Sequence, residues 1–174
     1  MNREPQASAA PGPPGSAVLL ARSGPGRAAT VDGMQHMDEA QWREFIMAGT
    51  RTGKLAVTRA DGRPHVTPVW FVLDGDDVVF TTNQSVVKAQ ALNRDPRATM
   101  CVDDQAPMYS YVMIEGMVSL LDDTGVVRRW ATDIAARYVG ADRAAEFGAR
   151  NGVPGELLAR LSIGKVVAHR DIAA

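Results

Sequence analysis

The stretch FTTNQSVVKAQALNRDP, Phe80 to Pro96, joins a predicted strand to a predicted helix. Hydroxyl, amide and ammonium groups gather at this junction: Thr81, Thr82, Asn83, Ser85 and Lys88. A helix N-terminus leaves backbone N–H groups unpaired and favours negative charge, so with these donors the junction could bind a phosphate. Ser and Asn are also typical of an ordinary helix cap, and the residues alone leave both interpretations open.

A second candidate segment precedes the junction, in HVTPVWF. Pro68 removes a hydrogen-bond donor from what otherwise has the pattern of a strand, which indicates an edge strand, a bulge or a segment that faces something other than a strand. A flat ring could bind there, against backbone groups and a neighbouring aromatic side chain. An edge strand protected by a proline is the alternative. The candidate ring-binding residues are Val66, Thr67, Pro68, Val69 and Trp70.

Side-chain-driven chemistry has little support in the rest of the sequence. The three histidines, His36, His65 and His169, form no HExxH or similar pair, so we expect no metal site. There is no GxSxG nucleophile motif and no glycine-rich phosphate loop. The single cysteine, Cys101, is predicted to be an unreactive core thiol. If the protein is an enzyme, an organic cofactor is expected to carry the difficult step.

The net charge is −1, from 19 basic and 20 acidic residues, so no long-range field attracts nucleic acid or an anionic membrane. We therefore expect neither as a partner. No apolar run is long enough to cross a bilayer, and no signal-peptide core is evident. The sequence predicts a cytoplasmic protein.

Composition divides the chain in two. Residues 1–36 are rich in Ala, Pro, Gly and Ser and lack periodicity, which predicts a disordered N-terminal arm. Residues 37–174 form the predicted folded domain, beginning with a helix over DEAQWREFIMAG that places Trp42, Phe45 and Ile46 on one side.

The remaining pattern is mainly β with inserted helices. Predicted strands cover Lys54–Thr58, His65–Leu73, Val78–Thr82, Arg97–Asp103, Tyr109–Leu121, Leu157–Leu161 and Lys165–Arg170, the first three forming an antiparallel meander. A helix is expected over Ser85–Asn93, a longer one with a core stripe of Val127, Trp130, Ile134 and Tyr138, and a short one over Ala141–Arg150. Helices inserted between hairpins favour a small antiparallel barrel over a doubly wound sheet.

The order of these segments resembles a known family. The run DGRPHVTPVWFVLDGDDVVFTTNQSVVKAQALNRDPRATMCVDD, followed by YSYVMIEGMVSL and the helical C-terminal part, is similar to the pyridoxamine 5'-phosphate oxidase-like split β-barrel family. It looks closest to the branch of coenzyme F420-dependent oxidoreductases. The resemblance extends from about Met37 onward.

The resemblance implies a homodimeric split β-barrel with two cofactor sites at the subunit interface. It implies that the cofactor's phosphate-bearing side chain lies at the junction containing Thr81, Thr82, Ser85 and Lys88, and that its ring lies along Val66 to Trp70. The implied activity is hydride transfer between reduced F420, a 5-deazaflavin, and a conjugated small organic substrate. FMN is the alternative cofactor, and a non-catalytic flavin or deazaflavin binding protein is the alternative function.

One position departs from the family. The family often carries an Arg-Asn pair after the lysine, where this chain has Gln90 and Ala91, so one cation for an anionic tail is missing. The residues proposed to compensate are Arg59, Arg63, Arg129 and Lys165. No catalytic side chain is assigned, although Tyr109 and Tyr111 are weak candidates for a proton donor.

Overall fold

The computed structural model describes residues 34–173 of the chain, and residues 1–33 of the predicted arm lie outside that range. The strands are β1 (Gln35–His36), β2 (Gly53–Thr58), β3 (Pro64–Val69), β4 (Val72–Asp74), β5 (Asp77–Asn83), β6 (Arg97–Asp104), β7 (Ser110–Leu121) and β8 (Glu156–Arg170). The helices are α1 (Glu39–Met47), α2 (Val87–Arg94), α3 (Thr124–Val139) and α4 (Ala141–Asn151). The mainly β class with inserted helices is confirmed.

The structure differs most clearly from the sequence prediction in three elements. The strand predicted over His65–Leu73 is interrupted at Trp70 and Phe71, which separates β3 from β4. The two predicted C-terminal segments form one strand, β8, which continues through Gly164. Helix α2 begins at Val87, two residues later than predicted.

The eight strands form one antiparallel sheet in the order β3-β2-β6-β7-β8-β5-β4, with β1 paired to β8. The β2–β3 and β4–β5 hairpins form as their glycine turns predict. The prediction of a single three-stranded meander is wrong, because these hairpins lie at opposite ends of the sheet order. Strand β1 pairs with β8, so the sheet begins at Gln35, two residues before Met37, where the folded domain was predicted to start.

The core fills the inner face of the sheet. On β7, Val112, Ile114 and Val118 are buried, as the alternation of side chains along a strand requires. Helix α1 adds Trp42 and Ile46 to the same cluster. The prediction that Cys101 is a core thiol is wrong. Its neighbours Met100 and Val102 point into the core, so Cys101 lies on the outer face and is partly exposed. Its partial burial raises the pKa of the thiol.

Helix α3 packs on the other side of β5, where Val127 joins Val79 and Leu158 in a second apolar cluster. Helix α4 lies close against α3 at Gly148, because a Cβ atom there would stand 1.9 Å from the Thr132 hydroxyl oxygen. The two helices therefore form a tightly packed wall beside β5. None of the described helices is both long and apolar enough to cross a membrane.

Candidate cofactor site

A cleft of about 190 Å³ lies between this helical wall and the strands. It brings together the two segments singled out by the sequence, with Trp70 of the first lying 11 positions before Thr81 of the second. Its lining residues are Pro68, Val69, Trp70, Thr81, Lys88, Ala131, Ile134, Ala135, Phe147, Arg150 and Asn151. Five of the ten residues proposed for the cofactor site line this cleft, and the other five lie nearby without lining it.

The interruption between β3 and β4 positions Trp70 at the cleft. The backbone N–H of Phe71, which has no strand partner there, donates to the Tyr138 hydroxyl at 3.2 Å. The Trp70 ring stacks on the Tyr138 ring, with centroids 4.8 Å apart and planes 1° from parallel. Trp70 keeps 38% of its surface exposed, so its indole is fixed yet accessible to a ligand.

Arg137 stabilises the chain segment around Trp70 from the interior of the protein. Its guanidinium donates to the carbonyl oxygens of Phe71 at 2.8 Å, Ile46 at 2.6 Å and Gly49 at 3.1 Å. Burial lowers the pKa of Arg137, and the carbonyl partners satisfy the donors that burial takes from water. Arg137 therefore ties α3 to α1 and to the chain segment that carries Trp70.

Lys88 lies half-buried at the cleft in the first turn of α2. Its ammonium forms no hydrogen bond or ion pair with any other residue in the range 34–173. Burial lowers the pKa of Lys88, and the nearby Glu156 carboxylate offsets part of that effect. A partly desolvated cation without a partner gains stabilisation when an anion binds beside it.

The N-terminus of α2 is uncapped by any side chain of the described residues. Val86 occupies the N-cap position, and the first turn contains no acidic residue. Ser85, expected to act as a donor or a cap, instead donates from its hydroxyl to the Asn83 side-chain oxygen at 2.6 Å. Asn83 in turn donates to Glu156 at 2.9 Å. These two residues shape the turn, and the first backbone N–H groups of α2 are left for another acceptor.

Thr81 and Thr82 point to opposite faces of β5, as neighbours on a strand must. Thr81 lines the cleft. Thr82 lies on the face of the core residues Val78 and Phe80, is only 4% exposed, and its hydroxyl has no hydrogen-bond partner in the described part of the chain. The structure thus places Thr81 at the candidate site and Thr82 in the core.

Strand β3 is an edge of the sheet, which is one of the positions that Pro68 predicts. It pairs with β2 on one side, and no other strand in residues 34–173 pairs with it. Val66 lies on the outer face and is 58% exposed, whereas the Thr67 hydroxyl is buried and has no partner within the described residues. Backbone groups along this edge remain available to a ligand.

The wall from α3 and α4 was missed as part of the site. Ala131 and Ala135 leave room beside Ile134, and Phe147 and Arg150 reach the cleft from α4. A signal was present in the sequence, because alanines four residues apart mark a helix face with space for another group. None of the compensating cations proposed from the sequence lines the cleft.

Comparisons with known proteins agree with this architecture. The family model for pyridoxamine 5'-phosphate oxidase matches residues 38–167. A search among curated proteins found no match.

Three solved structures give the scale of the structural similarity. A conserved hypothetical protein from Mycobacterium tuberculosis is 24% identical with a TM-score of 0.69, over 78% of this chain and 86% of that one. An F420 reductase is 24% identical with a TM-score of 0.56, over 71% and 94%. An FAD-binding protein from Mesorhizobium loti is 16% identical with a TM-score of 0.58, over 79% and 97%. At these identities the similarity shows the fold, and with the family match it follows that the chain belongs to the pyridoxamine 5'-phosphate oxidase family and has its split-barrel fold.

Proposed function

We propose that this protein is an oxidoreductase that binds coenzyme F420 and transfers a hydride between the reduced cofactor and a conjugated small organic substrate. The observation that carries the proposal is the cleft in which Trp70, Thr81 and the unpaired Lys88 meet. A phosphate-bearing planar molecule needs an exposed aromatic or apolar surface at one end and cationic donors at the other, and this cleft offers both.

The residues present fit such a cofactor. Lys88, the hydroxyl of Thr81 and the free N–H groups of α2 supply donors for a phosphate. Pro68, Val69 and the exposed part of the Trp70 indole supply an edge strand and an aromatic surface for the ring. No carboxylate lines the cleft, so nothing in its lining repels an anion.

When bound, a 5-deazaflavin supplies the hydride chemistry from its C5 carbon. The protein's contribution is to bind, orient and exclude water. Tyr138 and Arg137 fix Trp70, so the aromatic surface is formed before any ligand arrives. We assign no catalytic acid or base.

A second copy of the chain would complete the site. Ligand sites typically enclose about 300–1,000 Å³, and the cleft within one chain has about 190 Å³. The outer face of the sheet also exposes apolar side chains, including Val66 at 58% and Met117 at 53%. We therefore propose a homodimer with the cofactor between the subunits. Light scattering coupled to gel filtration measures the mass of the protein in solution and tests this proposal. A protein that binds the cofactor while it remains a monomer would contradict it.

F420 is placed before FMN because of the structural relatives. The F420 reductase is 24% identical to this chain over the aligned part, compared with 16% for the FAD-binding protein. FMN stays the alternative cofactor, since the same donors suit its phosphate.

Titration of the purified protein with F420 and with FMN, followed by fluorescence, tests the cofactor. Tighter binding of F420 supports the proposal, and tighter binding of FMN replaces F420 with the alternative. Binding of neither contradicts both. Oxidation of reduced F420 in the presence of conjugated ketones and quinones then separates an enzyme from a non-catalytic binding protein.

A further inference from the structure

We propose that Arg150, at the end of α4, is a second cation that binds the anionic end of the ligand together with Lys88. The inference rests on the proposed function, because it concerns the same cleft. It assigns a binding role to the helical wall, and it defines the preferred ligand as one whose phosphate-bearing end carries two or more negative charges.

The first argument is the charge of the cleft. Its lining contains two cations, Lys88 and Arg150, and no carboxylate. In the larger cavity on the outer face, of about 590 Å³, Lys165 lies 3.6 Å from Glu115. The Glu156 carboxylate lies outside this lining but close enough to raise the pKa of Lys88, so it offsets part of the positive charge. Two cations and no acid in the lining of one cleft still offer a local site for an anion in a protein with a net charge of −1.

The second argument is the geometry of Arg150. Its guanidinium lies over the Phe147 ring, 4.8 Å from the centroid, and its Nε donates to the Asn151 side-chain oxygen at 3.3 Å. Both terminal nitrogens have no hydrogen-bond or ion-pair partner within residues 34–173. Stacking occupies the face of the guanidinium and leaves its edge, which matches the paired oxygens of a phosphate or carboxylate.

A comparison with Arg143 shows that the unpaired terminal nitrogens of Arg150 are not common to every arginine on α4. Arg143 lies over the same Phe147 ring, at 5.6 Å, but it pairs with Glu146 at 3.3 Å and does not line the cleft. One helix therefore carries an arginine that is paired with an acid outside the cleft and an arginine whose terminal nitrogens are unpaired at the cleft.

Three of the four cations proposed from the sequence are paired elsewhere, and the fourth, Arg129, does not line the cleft. Arg59 and Arg63 both pair with Asp61, and Lys165 pairs with Glu115. Gln90 itself donates from its side-chain amide to the Ser85 carbonyl at 3.1 Å. The second positive charge for the cleft thus comes from α4.

Titrations of wild type, Arg150→Gln and Arg143→Gln with F420 and with its phosphate-free chromophore test the inference. We expect Arg150→Gln to weaken F420 binding about tenfold or more, the loss typical of a charge-assisted hydrogen bond. Its affinity for the phosphate-free chromophore should equal that of wild type, and Arg143→Gln should match wild type for both. Arg150→Lys should give an intermediate loss of F420 affinity, because it keeps the charge and loses the planar fork.

Inorganic pyrophosphate provides a probe that does not depend on the proposed function. It should raise the melting temperature of wild type more than that of Arg150→Gln. If wild type binds neither F420 nor FMN but pyrophosphate protection depends on Arg150, the proposed function fails and the anion site stands. The inference is overturned if Arg150→Gln binds F420 as tightly as wild type does. It is also overturned if the variant loses equal affinity for F420 and for the phosphate-free chromophore, or if pyrophosphate raises the melting temperatures of wild type and Arg150→Gln equally.

Discussion

Arg137 and Lys88 are two half-buried cations close to the same aromatic corner, and they differ in their partners. Burial lowers the pKa of both. Arg137 donates to three carbonyl oxygens on two chain segments, whereas Lys88 has no partner among the described residues. A satisfied buried cation stabilises the fold, and an unsatisfied one costs stability that a ligand can recover. The comparison distinguishes residues that stabilise the structure of the site from residues that are free to bind a ligand.

Removing Arg137 should have the largest effect on stability. Arg137→Met leaves several carbonyl oxygens without a donor, and we expect the free energy of unfolding to fall by about 3 kcal/mol or more. Urea denaturation measures this. Arg129→Met, at an exposed position of the same helix, is the control and should change stability little. Similar losses in the two variants would mean that the carbonyl contacts of Arg137 contribute little.

Removing Lys88 should have the opposite pattern. Lys88→Met keeps an unbranched side chain and removes a desolvated charge, so the cofactor-free protein should melt at a higher temperature than wild type. F420 binding should weaken by about 1 to 3 kcal/mol, measured by titration. A variant that loses stability while keeping its affinity would reverse the roles assigned to the two cations.

The pH dependence of binding sharpens the assignment of Lys88. Burial lowers its pKa below the ordinary value of 10.5 in the free protein, and a bound anion raises the pKa again. The complex then holds more protons than the free protein, so affinity is full below the lowered pKa and falls as pH rises through it. F420 titrations from neutral pH up to the ordinary lysine value of 10.5 should show this fall in wild type, and Lys88→Met should lack it.

The smallest expected effects come from the two threonines of β5. Thr82→Val removes a buried hydroxyl that has no partner within the described residues, and should raise the free energy of unfolding by up to about 1 kcal/mol without changing F420 affinity. Thr81→Val should weaken binding and leave stability almost unchanged. Chemical denaturation and titration of both variants check the pair, and equal effects on binding would show that the face of β5 does not matter.

The fold followed from the sequence wherever local rules decide structure. The alternation of apolar residues along β7 matches its buried face, and glycine turns match both hairpins. The order of the hairpins in the sheet was not accessible, because it depends on pairing between segments far apart in the chain. The break after Val69 was also missed, since the partner of the Phe71 N–H is Tyr138, 67 positions away.

Part of the candidate site could be predicted because it depends on local sequence patterns. Trp70, Thr81 and Lys88 lie in segments whose local pattern already suggested ligand chemistry. Thr82 could have been separated from Thr81 by strand alternation alone. Arg150 could not have been found locally, because its place at the cleft depends on how α4 packs on α3.

That packing has a consequence for the range of molecules the cleft can admit. At Gly148 the absence of a side chain sets how near α4 comes to α3, and Phe147 and Arg150 are carried on the same helical turn. A single methyl group at position 148 would have to displace the Thr132 hydroxyl or move this turn away from α3, and the second response would widen the cavity. The aperture of the site is thus governed by one small residue remote from the chemistry, which makes it the natural position for altering selectivity towards bulkier compounds.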